Sequence, residues 1–214
     1  MSLTEVDVPL EIENAVLDLV SEVTGCPIQR KTAPDWLMRP GRTECGKRWP
    51  LVCRIYRELT GLKLPEVMPE KEWRKVDGVM FCPNPAPRIV EVDESQHFNC
   101  HRGITLRLYP TELRLAFDCK TWTDHSKDEP RQKSGGWAKP KPPLFPDPGG
   151  RHLQRAFRDA LADILPPDYG FLPTLRIADF EVEPWIGTAG ARTHMADLLK
   201  RKFKSGTVPN CCVS

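Results

Sequence analysis

The chain has 214 residues, a formal net charge of +2, 40% hydrophobic and 28% charged residues. That length builds one domain of ordinary size with a core that needs no staples, and the near-neutral charge neither demands nor excludes a nucleic-acid partner, so only local charge can speak. No apolar run approaches the roughly 18–20 residues that span a bilayer, and Met1 to Glu11 lacks the basic and apolar regions of a signal peptide, so a soluble, cytoplasmic protein is expected.

Pro9 to Thr24 reads as a helix, because Ile12, Val16, Leu19, Val20 and Val23 recur at helical spacing and Gly25 follows as a stop. Residues 26–44 look irregular, with Pro27, Pro34, Pro40 and Gly41 among basic residues. A second helix is expected from Arg48 to Leu59, ended by Gly61. Two strand-like runs come next, Val76 to Phe81 and Arg88 to Asp93, joined by a proline-rich turn at 82–87. Phe98 to Leu108 reads as a short helix and Leu113 to Cys119 as a third strand. Residues 120–150 form a long polar excursion holding Lys120, Lys127, Arg131, Lys133, Lys139 and Lys141, with Trp122 and Trp137. Such a loop is usually functional or mobile. Cations interleaved with aromatics suit a nucleic-acid backbone and its bases, while a solvated loop with two anchoring tryptophans is the bland alternative. A helix over 151–165, a fourth strand from Leu175 to Val182 and a last helix from Arg192 to Lys204 complete the chain. The fold expected is mixed α/β, a central mixed sheet of about four strands led by a hairpin and flanked by helices. It is one domain: a helical part at 1–61, the core sheet at 62–182 with its basic loop, and a helix and tail at 183–214.

Eight cysteines occur, none in a C-x-x-C pair, and most are expected to be reduced.

The stretch Arg88-Ile-Val-Glu-Val-Asp-Glu-Ser-Gln-His-Phe98 is the most informative. An apolar strand runs straight into three carboxylates, an amide and an imidazole. Strand parity puts Glu91 and Asp93 on one face and Val90 and Val92 on the other. Adjacent buried carboxylates repel unless a cation sits between them, and a hard cation such as Mg²⁺ or Mn²⁺ suits oxygen ligands. If the hairpin turns near residues 84–85, Asp77 falls almost opposite Glu91 or Val92 and can share the metal.

Asp77 on one strand and Glu91-Val92-Asp93 on the next resemble the PD-(D/E)xK nuclease superfamily, the restriction-endonuclease-like fold, whose core order is similar to that read from residue 48 to 182. The run Glu91-x-Asp93-x-x-Gln96-His97 resembles a sub-branch of very-short-patch-repair-type and homing-type nucleases. Asp93 stands where the common motif has lysine, and Glu94 where the sub-branch has glycine. The resemblance implies a metal-dependent nuclease acting on nucleic acid, with DNA the expected substrate. Asp77, Glu91 and Asp93 would be metal ligands, with the Val92 carbonyl. Gln96 and His97 would complete the catalytic set, His97 as general base or phosphate holder. Arg102, Arg107 and Lys120 are the candidate substrate contacts, and Lys120 is also a candidate for the missing lysine. Glu58 is more simply a solvated side chain.

Three rival readings accompany this one. His97, Cys100 and His101, with Glu94, have ligand types that zinc accepts. The absent lysine fits a non-catalytic nucleic-acid-binding module. Cys211-Cys212-Val213-Ser214, after the basic run Lys200 to Lys204, matches a prenylation pattern, but four residues are a weak signal and the basic run also suits a helix C-terminus.

Overall fold

The structure, a computed structural model, describes residues 8–82, 86–128 and 139–204. The centre of the 82–87 turn, Arg131, Lys133 and Trp137 of the basic excursion, and the C-terminal Cys211–Ser214 pattern lie outside the described residues.

Helix α1 (Val8–Thr24) leads into strand β1 (Ile28–Thr32). Two short helical turns, α2 (Asp35–Met38) and α3 (Arg42–Cys45), precede α4 (Trp49–Thr60). Strands β2 (Val76–Met80) and β3 (Arg88–Asp93) form the hairpin. Then come α5 (Cys100–Arg107), α6 (Cys119–His125), α7 (Gly150–Ile164), β4 (Leu172–Ala178), the turn α8 (Asp179–Val182) and α9 (Ala191–Lys204). The sheet runs β1-β2-β3-β4. The first two pairings are antiparallel and β3–β4 is parallel. This is the mixed four-stranded sheet expected, though with a different strand membership.

Two expectations about the sheet fail for physical reasons. Residues 28–32, read as irregular, supply strand β1, so the N-terminal part is not wholly helical. Its sequence, Ile-Gln-Arg-Lys-Thr, carries little apolar patterning because it is an edge strand with its middle exposed. Residues 113–119 make no strand. Leu113, Leu115 and Phe117 are buried as their alternation suggests, but the segment makes only one bridge to the sheet, Ala116 to Leu175. Asp118 then turns the chain into α6 by accepting the Thr121 N–H at 2.7 Å. The supposed excursion at 120–150 therefore begins inside a helix, and Lys141 and Phe145 close a small bridge before α7.

Helices cover both faces of the sheet. Met80, Val90, Val92, Leu175 and Ile177 pack against Val16, Leu17 and Val20 of α1 and Met195, Leu198 and Leu199 of α9. Val79 and Ile89 point the other way, into a core with Ile55 of α4, Leu106 of α5 and Phe157 and Leu161 of α7. Val90 and Val92 thus face one layer, and Glu91 and Asp93 the other, as period-two geometry requires. No helix among the described residues is long and apolar enough to cross a membrane.

The register Ile28↔Met80 also sets Cys26 opposite Cys82, and the two form a disulfide. They are 56 residues apart, so only the strand register could have shown the pair. Cys45 and Cys53 are free thiols.

Helix α7 enters its place through Gly149, which has φ 85°, and Gly150. A Cβ on Gly150 would stand 2.3 Å from the Phe145 carbonyl oxygen and 2.9 Å from the Lys141 nitrogen. Both atoms are backbone, so nothing can swing aside. Gly150→Ala is expected to destabilise the protein by about 1–3 kcal/mol, the usual cost of overpacking, measured as a fall in the urea midpoint at unchanged slope.

Candidate functional site

Between the β2–β3 hairpin and α7 lies a cleft of about 210 Å³. Asp77, Glu91 and His97 line it together with Arg74, Arg155, Arg158 and Asp159. Lys75, Arg151 and Gln154 complete its walls.

The hairpin places the first two acids. Gly78 pairs with Val90 and Val79 with Ile89, which carries Asp77 to the position opposite Glu91. Asp77 accepts the Val92 N–H at 2.9 Å and pairs with Lys31 at 3.1 Å. That lysine belongs to β1, has φ 47° and also reaches Glu13 at 2.7 Å. A positive φ is uncommon for lysine, and here it accompanies an ammonium held between two carboxylates. Glu91 is buried and pairs with Arg74 at 3.2 Å. Burial, and then the like charge of Asp77, push its carboxyl well above the usual range, against the pull of Arg74 and Arg176.

Asp93 belongs to a different environment. It is fully buried, and both oxygens are taken: one accepts from Arg176 at 2.6 Å, the other from the Trp122 indole N–H at 2.7 Å. It does not line the cleft. Its role here is in a charged interior cluster centred on Arg176, which also meets Asp163 at 2.7 Å and Asp159 at 3.4 Å. Arg102, proposed above as a substrate contact, belongs to the same cluster. It is 1% exposed, pairs with Asp163 at 2.7 Å and donates to the Tyr109 hydroxyl at 2.8 Å.

His97 joins the cluster to the cleft. Its Nδ1 faces Asp159 at 3.0 Å and Asp93 at 3.5 Å. Burial disfavours the imidazolium, but Asp159 and Asp93 outweigh it and raise the pKa above the ordinary histidine value. In return, His97 and Arg176 overcome the burial of Asp159 and hold its carboxyl far below the usual range. Since Nδ1 serves the aspartates, Nε2 is the nitrogen left for a ligand.

The remaining sequence candidates lie elsewhere. The Gln96 amide donates to Glu94 at 2.6 Å. Lys120 is on the surface of α6, paired with Asp124 at 2.6 Å. Arg107 is exposed on the last turn of α5. None of the three lines the cleft. The zinc reading needed His97 and His101 on one helical face, but Asn99 separates them: it caps α5 by accepting from the His101 and Arg102 N–H groups at 3.0 and 3.3 Å, leaving His97 in a preceding 3-10 turn. Among the described residues no group of three or more His, Cys, Asp or Glu side chains is arranged to hold a metal ion.

The residues missed in the sequence are those of α7 and β4. Arg151, Arg155 and Arg158 recur at helical spacing and form one face. Asp159 and Asp163 sit within the apolar stripe of the same helix, and Arg176 within an apolar strand. Charges embedded in apolar seams were the available signal. No protein-family model, curated protein or solved structure matches the chain.

Arg176→Met is expected to cost at least about 3–5 kcal/mol, because it strands buried carboxylates without their cation, read from urea unfolding. The raised pKa of His97 gives a sign as well. The stabilisation it reports is complete below the unfolded histidine pKa, near 6.5, and is lost as pH rises through the folded value. The stability difference between wild type and His97→Gln should therefore shrink across that range, measured by unfolding at successive pH values.

Proposed function

We propose that the chain is a metal-dependent nuclease with a restriction-endonuclease-like core, and that the cleft is its active site. One observation carries this reading: a carboxylate pair, Asp77 and Glu91, shares a cleft with His97 and the arginine face of α7. Carboxylates alone would repel a phosphodiester, and arginines alone would only bind it. Their combination suits phosphodiester hydrolysis.

The donor set fits magnesium or manganese better than a fully protein-caged ion. Magnesium is commonly held by one or two carboxylates and completes its shell with water and phosphate oxygens. Asp77 and Glu91, opposite one another on the hairpin and both lining the cleft, would hold it. Bound there, the ion would supply Lewis-acid stabilisation of phosphoryl charge and ease deprotonation of water. Asp93, turned away from the cleft to Arg176 and Trp122, has no part in that set.

The chain's own residues do the rest. Arginine grips phosphate oxygens in a bidentate fashion, so Arg155 and Arg158 would seat the backbone against the cleft. Lys31 balances the charge of Asp77. Asp159 orients His97 and favours its protonated form. His97 therefore acts as an acid: water attacks phosphorus and gives up a proton to the solvent, the phosphorus–oxygen bond to the leaving group breaks, and His97 Nε2 passes its proton to the departing oxygen. Of the two roles expected from the sequence, general base or phosphate holder, the first is disfavoured because its neighbours favour the protonated ring. The missing lysine need not be replaced by Lys120, which is far from this chemistry in its surface pair.

The test is cleavage of plasmid and single-stranded DNA with Mg²⁺, with Mn²⁺ and with EDTA. Wild type should cut only with metal, Glu91→Ala should fall to background, and His97→Asn should lose about 10²–10⁴-fold. Binding without cleavage by the wild type would instead favour the non-catalytic module, a reading that the Arg74–Glu91 pair also accommodates. Equal cutting by wild type and Glu91→Ala would remove the chemistry from this cleft.

A further inference from the structure

We infer that the cleft takes an unpaired nucleotide, with the base stacked on Trp73 and the adjoining phosphates on α7; this rests on the nuclease reading above and adds the class of substrate.

The rim of the cleft carries the observation. Trp73 is 48% exposed, yet its position is not loose. The preceding Glu72 is clasped by α7, accepting from Gln154 at 3.0 Å and from Arg158 at 3.0 Å. Arg158 also donates to the Trp73 carbonyl at 3.3 Å, and Arg74 donates to the Arg158 carbonyl. Segment 72–74 is therefore strapped across the helix whose arginines line the cleft, and the exposed indole stands next to the cleft-lining residues Arg74 and Lys75. Lys75 lies over the ring, 5.0 Å from its centroid.

An exposed tryptophan usually means little. This one is fixed beside a row of guanidiniums. The row follows one helix face, and Arg151, Arg155 and Arg158 advance along it by about 6 Å and about 4.5 Å at the 1.5 Å rise per residue. Basic groups that track a backbone beside an aromatic ring that takes a base are the parts of a single-strand site. A base in a duplex has its neighbours on both faces and cannot stack on an outside ring unless it leaves the helix. The cleft, of about 210 Å³, has room for a phosphate and its sugar. The acids Asp77, Glu91 and Asp159 within it would repel an acidic peptide, whereas a phosphodiester arrives with its metal.

The experiment uses the full chain with Ca²⁺ in place of Mg²⁺, so that bound strands stay uncut. Fluorescence anisotropy compares a short single-stranded DNA, the RNA of the same sequence and the corresponding blunt DNA duplex. Single strands should bind about tenfold or more tighter than duplex, and the DNA and RNA arms report which sugar is preferred. Trp73→Ala should weaken single-strand binding by about tenfold, the scale of one stacked base, and leave duplex binding and the melting temperature unchanged. Trp73→Phe should restore part of the loss. If duplex binds as tightly as single strands, or Trp73→Ala has no effect, the inference is overturned. The nuclease reading survives that result when metal-dependent cutting still requires Glu91. If no nucleic acid binds, both fall.

Discussion

Arg176 is the cation around which the interior is arranged. It sits in the middle of β4, fully buried, with Asp93 from β3 and Asp159 and Asp163 from α7 as its partners. A guanidinium can serve several acceptors at once because its donors lie in a rigid fork. A lysine in its place could not span three carboxylates from two elements. The charges of the cluster largely offset one another: Asp93, Asp159 and Asp163 face Arg176, Arg102 and a His97 whose protonated form Asp159 and Asp93 favour. Buried ion pairs are weak evidence for stability compared with apolar packing, but removing one member is costly. Their value here is positional. They lock β3, β4, α5 and α7 into one register.

That locking makes the cleft. Helix α7 turns Asp159 and Asp163 inward and Arg151, Arg155 and Arg158 towards the cleft, so the residues that hold the helix down also aim its basic face. Asp159 belongs to both sets: it contacts Arg176 on one side and His97 on the other. The state of the imidazole in the cleft is consequently set by a charge balance in the core. On β3 the same division falls between neighbours, with Glu91 opening onto the cleft and Asp93 turned to Arg176 and Trp122.

Much of this was legible in the sequence, and the failures have causes. The helices with a strong apolar stripe were plain, as was the hairpin, since alternation and proline punctuation agreed. The juxtaposition of Asp77 and Glu91 followed from a register argument that the observed pairing of Gly78 with Val90 matches. Asp93 and Arg102 were misplaced because a sequence shows that a carboxylate or guanidinium is buried more readily than it shows its partner. The partners, Arg176 and Asp163, lie 83 and 61 residues away. Strand β1 was missed because an edge strand needs few apolar residues. The stretch at 113–119 misled because buried alternation does not guarantee a hydrogen-bonded ladder.

The parallel pairing of β3 with β4 has a consequence for how the chain reaches this state. The β2–β3 hairpin is local and can close early, whereas β4 must return across three helices to meet β3. Contacts of such long sequence separation form slowly. Until Arg176 arrives, Asp93 and the two aspartates of α7 lack their shared cation, so neither β3 nor α7 can bury them without cost. During synthesis, β3 and α7 are therefore expected to remain uncommitted until β4 follows, with their acids still in water. Arrival of the last strand commits both elements together, coupling assembly of the cleft to completion of the sheet.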